Sequence, residues 1–149
     1  MNLTPPPAAT APNLQALREA YRRDKAALVA TLFAPLPTVR GIHGLLRKFT
    51  RLADRLLQTL WKASALHPGL ALLAVGGFGR GQLLPYSDVD VLVLLPDSSH
   101  AALGTDTRAR VEDFIRNCWD AGLEIGSSVR SVQECLEEAA GDVTVQTSL

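Results

Sequence analysis

Ala74-Val75-Gly76-Gly77-Phe78-Gly79-Arg80-Gly81-Gln82-Leu83-Leu84-Pro85-Tyr86-Ser87-Asp88-Val89-Asp90-Val91-Leu92-Val93-Leu94-Leu95 reads as an apolar strand, a glycine turn and a second apolar strand. The second strand carries two carboxylates at i and i+2. Side chains alternate across a strand, so Asp88 and Asp90 share one face while Val89 and Val91 point to the other, toward a core. Two carboxylates side by side repel each other, and a cation between them makes the arrangement favourable. Oxygen-only ligation suits Mg²⁺ shared with substrate phosphates. Gly76 and Gly77 let backbone N–H groups approach a polyphosphate closely. These residues together imply metal-dependent nucleotidyl transfer.

Working outward, residues 1–12 are rich in Pro, Ala and Thr and are expected to be disordered. Asn13 can cap a helix from Leu14 to about Phe33, which Pro35 and Pro37 end. Residues 39–66 read as a second long helix. Its apolar stripe is Leu45, Leu46, Phe49, Leu52, Leu56, Leu57 and Leu60. His67-Pro68-Gly69 breaks it. Residues 70–75 form the first strand, apolar throughout and therefore expected to be buried on both faces. The second strand is expected over 87–95, a polar loop over 96–105 and a helix over 107–121, ended by Gly122. A third strand is expected over 123–130. Ser131 and Glu134 form a capping box for a helix through Ala139, and 143–145 read as a short last strand. The expected fold class is α/β (α+β): a small mixed sheet flanked by helices, preceded by a helical pair. The implied division is a tail over 1–12, a helical region over 13–67 and a transferase core over 68–149.

A Gly-Gly pair, ten intervening residues and Asp-x-Asp between apolar residues resembles the polymerase-β-type nucleotidyltransferase superfamily. The longer string from Gly76 to Asp90 is more specific. It is similar to the N-terminal domain of the bifunctional uridylyltransferase/uridylyl-removing enzymes that modify the nitrogen-regulatory PII protein. A second block agrees, comprising Trp119 to Ser131, then Glu134 to Ala139, then Asp142 to Val145. The similarity covers roughly residues 14–149. One departure is Gln82, where the family pattern usually carries Glu. The resemblance implies transfer of UMP from UTP to a tyrosine of PII, with Mg²⁺ held by Asp88 and Asp90. It also implies a third carboxylate from a later strand, which helps to activate the attacking hydroxyl. Asp142 and Glu124 are the candidates, with Asp142 preferred. The family's enzymes are much longer, so the chain reads as a truncated N-terminal piece. The alternatives are a related adenylyltransferase, a signal-transduction relative with another acceptor, or a catalytically silent nucleotide-binding fragment.

Other residues have plain competitors. Arg80, inside the glycine segment, fits phosphate contact because a guanidinium matches phosphate oxygens bidentately. Ser87 can bond a phosphate or only cap a turn. Tyr86 and Phe78 read as packing residues. His43, His67 and His100 show no ligand spacing. Arg47, Lys48, Arg51 and Arg55 read as the solvated face of their helix.

The balance of charge narrows the partners further. Fifteen Lys and Arg meet fifteen Asp and Glu in 149 residues, so no basic footprint for nucleic acid is present. Only Cys118 and Cys135 carry thiols, without metal or disulfide spacing, which implies reduced thiols. No apolar run approaches bilayer length, so the expectation is a cytoplasmic protein without membrane contact.

Overall fold

Asn13 starts the first helix as its sequence implies, its side chain accepting a hydrogen bond from the Ala16 N–H at 3.0 Å. The computed structural model describes residues 12–33, 38–66, 68–96 and 104–141. Helix α1 spans Leu14–Ala30 and tightens into a 3₁₀ turn at Thr31–Phe33. Helix α2, Val39–Ala63, is capped by Thr38, whose hydroxyl accepts from the Gly41 N–H at 3.1 Å. Its buried stripe comprises Leu45, Phe49, Leu52, Ala53, Leu56, Leu57 and Leu60. Leu46, expected in that stripe, is only half-buried. The helix ends three residues before the expected boundary, where Ala65 adopts a left-handed conformation (φ 45°).

Strand β1 is Ala71–Ala74, β2 is Val89–Leu95 and β3 is Ile125–Ser131. They form one sheet in the order β1-β2-β3, with β1 antiparallel and β3 parallel to β2. The single turn α3 is Gly76–Gly79, helix α4 is Thr105–Asp120 and α5 is Val132–Gly141. Gly122 follows α4 at φ 88°, the left-handed terminator that its position implied. The capping box of α5 forms as expected. The Ser131 N–H donates to Glu134 Oε2 at 2.7 Å and the Glu134 N–H donates to Ser131 Oγ at 3.1 Å.

The first strand departs from expectation. Its apolar run implies burial on both faces, yet three of its four residues are exposed, Leu73 by 39%. An unbroken apolar run does not distinguish a central strand from an edge strand. Among the described residues β1 pairs only with β2, and its other edge has no strand beside it. The central position belongs to β2, where Val89, Val91, Val93 and Leu95 are 2% exposed or less. Ser87 and Asp88 precede that strand rather than opening it, and β3 begins two residues later than expected. The expected last strand, most of the polar loop and the N-terminal tail up to residue 11 lie outside the described residues, as do Pro35 and Pro37.

The helical pair lies against the sheet and shares its core. One cluster joins Tyr21 of α1, Phe49, Leu57 and Leu60 of α2, Val89 and Val91 of β2, and Phe114 and Cys118 of α4. Trp61 meets Phe114 edge-on, with ring centroids 5.1 Å apart. Cys118 and Cys135 are both free and buried.

Burial pushes the Cys118 thiol from 9.0 up to about 12. Burial, and secondarily the Glu124 carboxylate, pushes the Tyr21 phenol from 10.0 up to about 12. Both groups are neutral when protonated, so the fold holds them in the neutral form. An unfolded chain ionises them first. Their stabilisation is therefore complete below pH ~9 and declines as pH rises through about 9 to 12. Urea midpoints should be level from pH 7 to 8.5 and fall above it, and Cys118→Ala should flatten that fall. An equal alkaline slope in Cys118→Ala would remove the thiol from the account.

Candidate functional site

The glycine turn is shaped by steric requirements that few side chains meet. After Ala74 the chain passes extended through Val75 and turns at Gly76, whose φ of 58° L side chains rarely adopt. A Cβ at Gly79 would lie 2.6 Å from the Ala74 carbonyl oxygen, so that position also demands glycine. Gly77 makes no such demand, since its Cβ would meet only ordinary contact at 3.7 Å. Hydrogen bonds set the turn. The Val75 N–H donates to the Asp90 carbonyl at 3.1 Å and the Gln82 N–H to the Gly77 carbonyl at 2.9 Å. Phe78 and Leu83 anchor it in the core. Helix α2 clamps it from outside, because Thr50 Oγ1 accepts from the Leu83 N–H at 3.2 Å while donating to the Leu46 carbonyl at 3.0 Å.

Asp90 emerges opposite to the buried Val89 and Val91 and meets two glycines. A Cβ on Gly76 would sit 3.0 Å from its Oδ2, and one on Gly126 only 2.7 Å from its Oδ1. The carboxylate thus occupies space that any larger residue at either position would contest. The register explains why, since Asp90 lies directly opposite Gly126 across the parallel β2–β3 pair. Around it opens a cleft of about 380 Å³ lined by Val75, Gly76, Asp90, Val91, Gly126, Ser127 and Ser128. Two larger cavities lie elsewhere, one of about 610 Å³ between α1 and α2 and one of about 410 Å³ between α1, the end of α4 and the residues leading into β3. Size alone would favour them, but neither contains Asp88, Asp90 or the glycine turn.

The other expected residues fall around this centre. Asp88 is exposed on the approach to β2, two residues from Asp90, and does not line the cleft. Ser87 is exposed, its N–H donating to the Leu84 carbonyl at 3.2 Å. Arg80 is exposed at the end of α3 and forms no ion pair among the described residues. Glu124 immediately precedes β3. Its carbonyl accepts from the Val89 N–H at 2.7 Å, while its carboxylate acts on Tyr21 rather than joining Asp90. Asp142 lies outside the described residues, as do His67 and His100; His43 is exposed on α2. Phe78 packs as expected, whereas Tyr86 is 76% exposed and does not. Arg47, Lys48, Arg51 and Arg55 are exposed along α2, as read. Gly126, Ser127 and Ser128 were not anticipated. The only signal for them is a run of small residues interrupting an otherwise strand-like segment.

Among the described residues no group of three or more His, Cys, Asp or Glu converges. Carboxylate oxygens such as those of Asp90, with Asp88 two residues before it, are the donors that suit a hard divalent cation that also binds phosphate oxygens. The donor chemistry, and the space that the two glycines leave beside Asp90, fit such an ion. Among the described residues no helix is long and apolar enough to cross a membrane.

Residues 56–135 match the nucleotidyltransferase domain family. The bifunctional uridylyltransferase/uridylyl-removing enzyme of Burkholderia orbicola (strain AU 1054) is 56% identical over 109 residues, covering 73% of this chain and 12% of the relative. That of Burkholderia vietnamiensis is 48% identical over 139 residues, covering 93% and 16%. That of Burkholderia mallei (strain SAVP1) is 52% identical over 120 residues, covering 80% and 14%. The chain thus spans about one-eighth to one-sixth of the length of these relatives. No solved structure matches it.

Proposed function

This chain belongs to the nucleotidyltransferase domain family, and from that premise we propose that it transfers UMP from UTP to a tyrosine of the nitrogen-regulatory PII protein. Pyrophosphate is released, and the transfer reports nitrogen status within the cytoplasm. The observation that carries the reading is the Asp90 carboxylate between Gly76 and Gly126, at the meeting of a glycine turn and a central strand. The name printed for the relatives supplies the uridylyl group. In this reading Asp88 and Asp90 hold Mg²⁺, whose charge offsets that of the phosphates as it redistributes during transfer.

The chain's own residues do the rest. Gly76 and Gly77 open α3, and the first N–H groups of a helical turn have no partner within it, which suits phosphate oxygens. Arg80 brings a guanidinium without an ion-pair partner among the described residues to the end of the same turn. Ser87 offers a hydroxyl beside Asp88. The tyrosine oxygen bonds to the α-phosphorus, the bond from that phosphorus to the β-phosphate oxygen breaks, and pyrophosphate departs with the electron pair. The hydroxyl proton passes to a carboxylate, for which Asp142 is the candidate.

Calorimetric titration of the chain with UTP and with ATP, each with Mg²⁺, tests the reading, followed by assay of UMP transfer to PII. UTP is expected to bind at least tenfold more tightly than ATP. Preferential ATP binding would redirect the proposal to adenylyl transfer, and binding without turnover on PII would mark a silent nucleotide-binding fragment. A folded chain that binds neither nucleotide in the presence of Mg²⁺ overturns it.

A further inference from the structure

A second concave site lies where α1 meets the end of α4 and the start of β3. Its volume of about 410 Å³ falls within the range of small-molecule sites, roughly 300–1,000 Å³. Arg18, Arg22 and Lys25 line it from one face of α1, at i, i+4 and i+7. Across from them are Trp119, 53% exposed, and Glu124. Tyr21 forms part of the floor, with Lys25 Nζ 5.9 Å from its ring centroid.

Here the acids of α1 are engaged elsewhere, as Asp24 pairs with Arg23 at 2.9 Å and Glu19 accepts from Gln15 at 3.1 Å. Neither Arg18, Arg22 nor Lys25 has an ion-pair partner among the described residues. Glu124 is the one acid lining the cavity, which leaves a positive excess. Three clustered cations against a single carboxylate, beside a half-exposed indole, are the elements that bind phosphate and a flat ring together.

We infer that this cavity binds a mononucleotide without a metal ion, its phosphates at Arg22 and Lys25 and its base against Trp119. Arg18 extends the phosphate subsite, and Glu124 accepts from a sugar hydroxyl or a base N–H. The site is separate from the Asp90 cleft and does not rest on the transfer reading. Its phosphate contacts come from side chains, so it needs no Mg²⁺.

The test titrates the intact chain with UTP, ATP and inorganic triphosphate in EDTA, followed by calorimetry and tryptophan fluorescence. Both nucleotides are expected to bind, with affinity unchanged by Asp88→Asn/Asp90→Asn. Arg22→Ala/Lys25→Ala and Trp119→Ala should each weaken them at least tenfold. Triphosphate alone should bind at least tenfold more weakly than the nucleotides and ignore Trp119→Ala. The altered side chains lie at the surface, and circular dichroism verifies that each variant is folded. No binding in EDTA by the folded chain overturns the inference, as does undiminished binding by Arg22→Ala/Lys25→Ala. Triphosphate binding as tightly as the nucleotides, with no effect of Trp119→Ala, also overturns it by leaving an anion site alone. Loss of binding in the Asp88→Asn/Asp90→Asn protein would assign the nucleotide to the Asp90 cleft instead.

Discussion

Asp90→Asn is expected to weaken Mg²⁺-dependent UTP binding by at least about 100-fold, or roughly 2.8 kcal/mol at 1.4 kcal/mol per tenfold. Asparagine keeps the shape and removes the charge, so the melting curve should stay near that of the unaltered chain. In an enzyme carrying the whole transfer activity, the same change should abolish transfer. Gly126→Ala provides a geometric control, because it keeps the charge and contests its position. A Cβ there would lie 2.7 Å from Asp90 Oδ1. The carboxylate can swing aside at small cost in stability, but not while keeping its place in the cleft. Gly126→Ala should therefore weaken metal-dependent binding about tenfold with little change in melting. Titration calorimetry on both variants decides the matter. Wild-type affinity in Asp90→Asn would remove this carboxylate from the site, and wild-type affinity in Gly126→Ala would show that its position beside β3 is not what binding requires.

Phe114→Ala should cost about 3–5 kcal/mol of unfolding free energy, the usual range for removing a buried phenyl ring. Phe114 is completely buried, sits edge-on to Trp61 and belongs to the cluster joining both long helices to the sheet. Domains of this kind are stable by only about 5–15 kcal/mol, so the loss would be a large fraction of the total. Urea unfolding measures it directly. Trp119→Ala is the matched surface comparison and should move stability by about 0.5 kcal/mol or less. A loss below 1 kcal/mol for Phe114→Ala would show that α4 does not pin the sheet to the helical pair.

Local order was legible wherever a short-range rule sets it. Asn13 and the Ser131–Glu134 box cap their helices because each hydrogen bond spans three residues. Gly122 ends α4 because a left-handed residue there suits glycine. The α2 stripe was recognisable from its helical spacing, with Ala53 buried and Leu46 less so. Tyr86 was misread as a packing residue because aromatic character says nothing about which way a turn faces solvent. The edge position of β1 was hidden for a related reason, since an apolar strand looks the same at the rim of a sheet as at its centre.

The amino-acid sequence by itself determined the strand, glycine turn and second strand, and the membership of a nucleotidyltransferase family. Those depend on side-chain alternation and on glycine's tolerance of positive φ, which act over a few residues. Only the tertiary structure decided that Gly126 stands beside Asp90, that Glu124 and Tyr21 line one cavity, and that Arg18, Arg22 and Lys25 share it with Trp119. These juxtapositions join residues 36 to 103 positions apart. They follow from strand register and helix packing, which are set by burial of the whole core and leave no local mark on the chain.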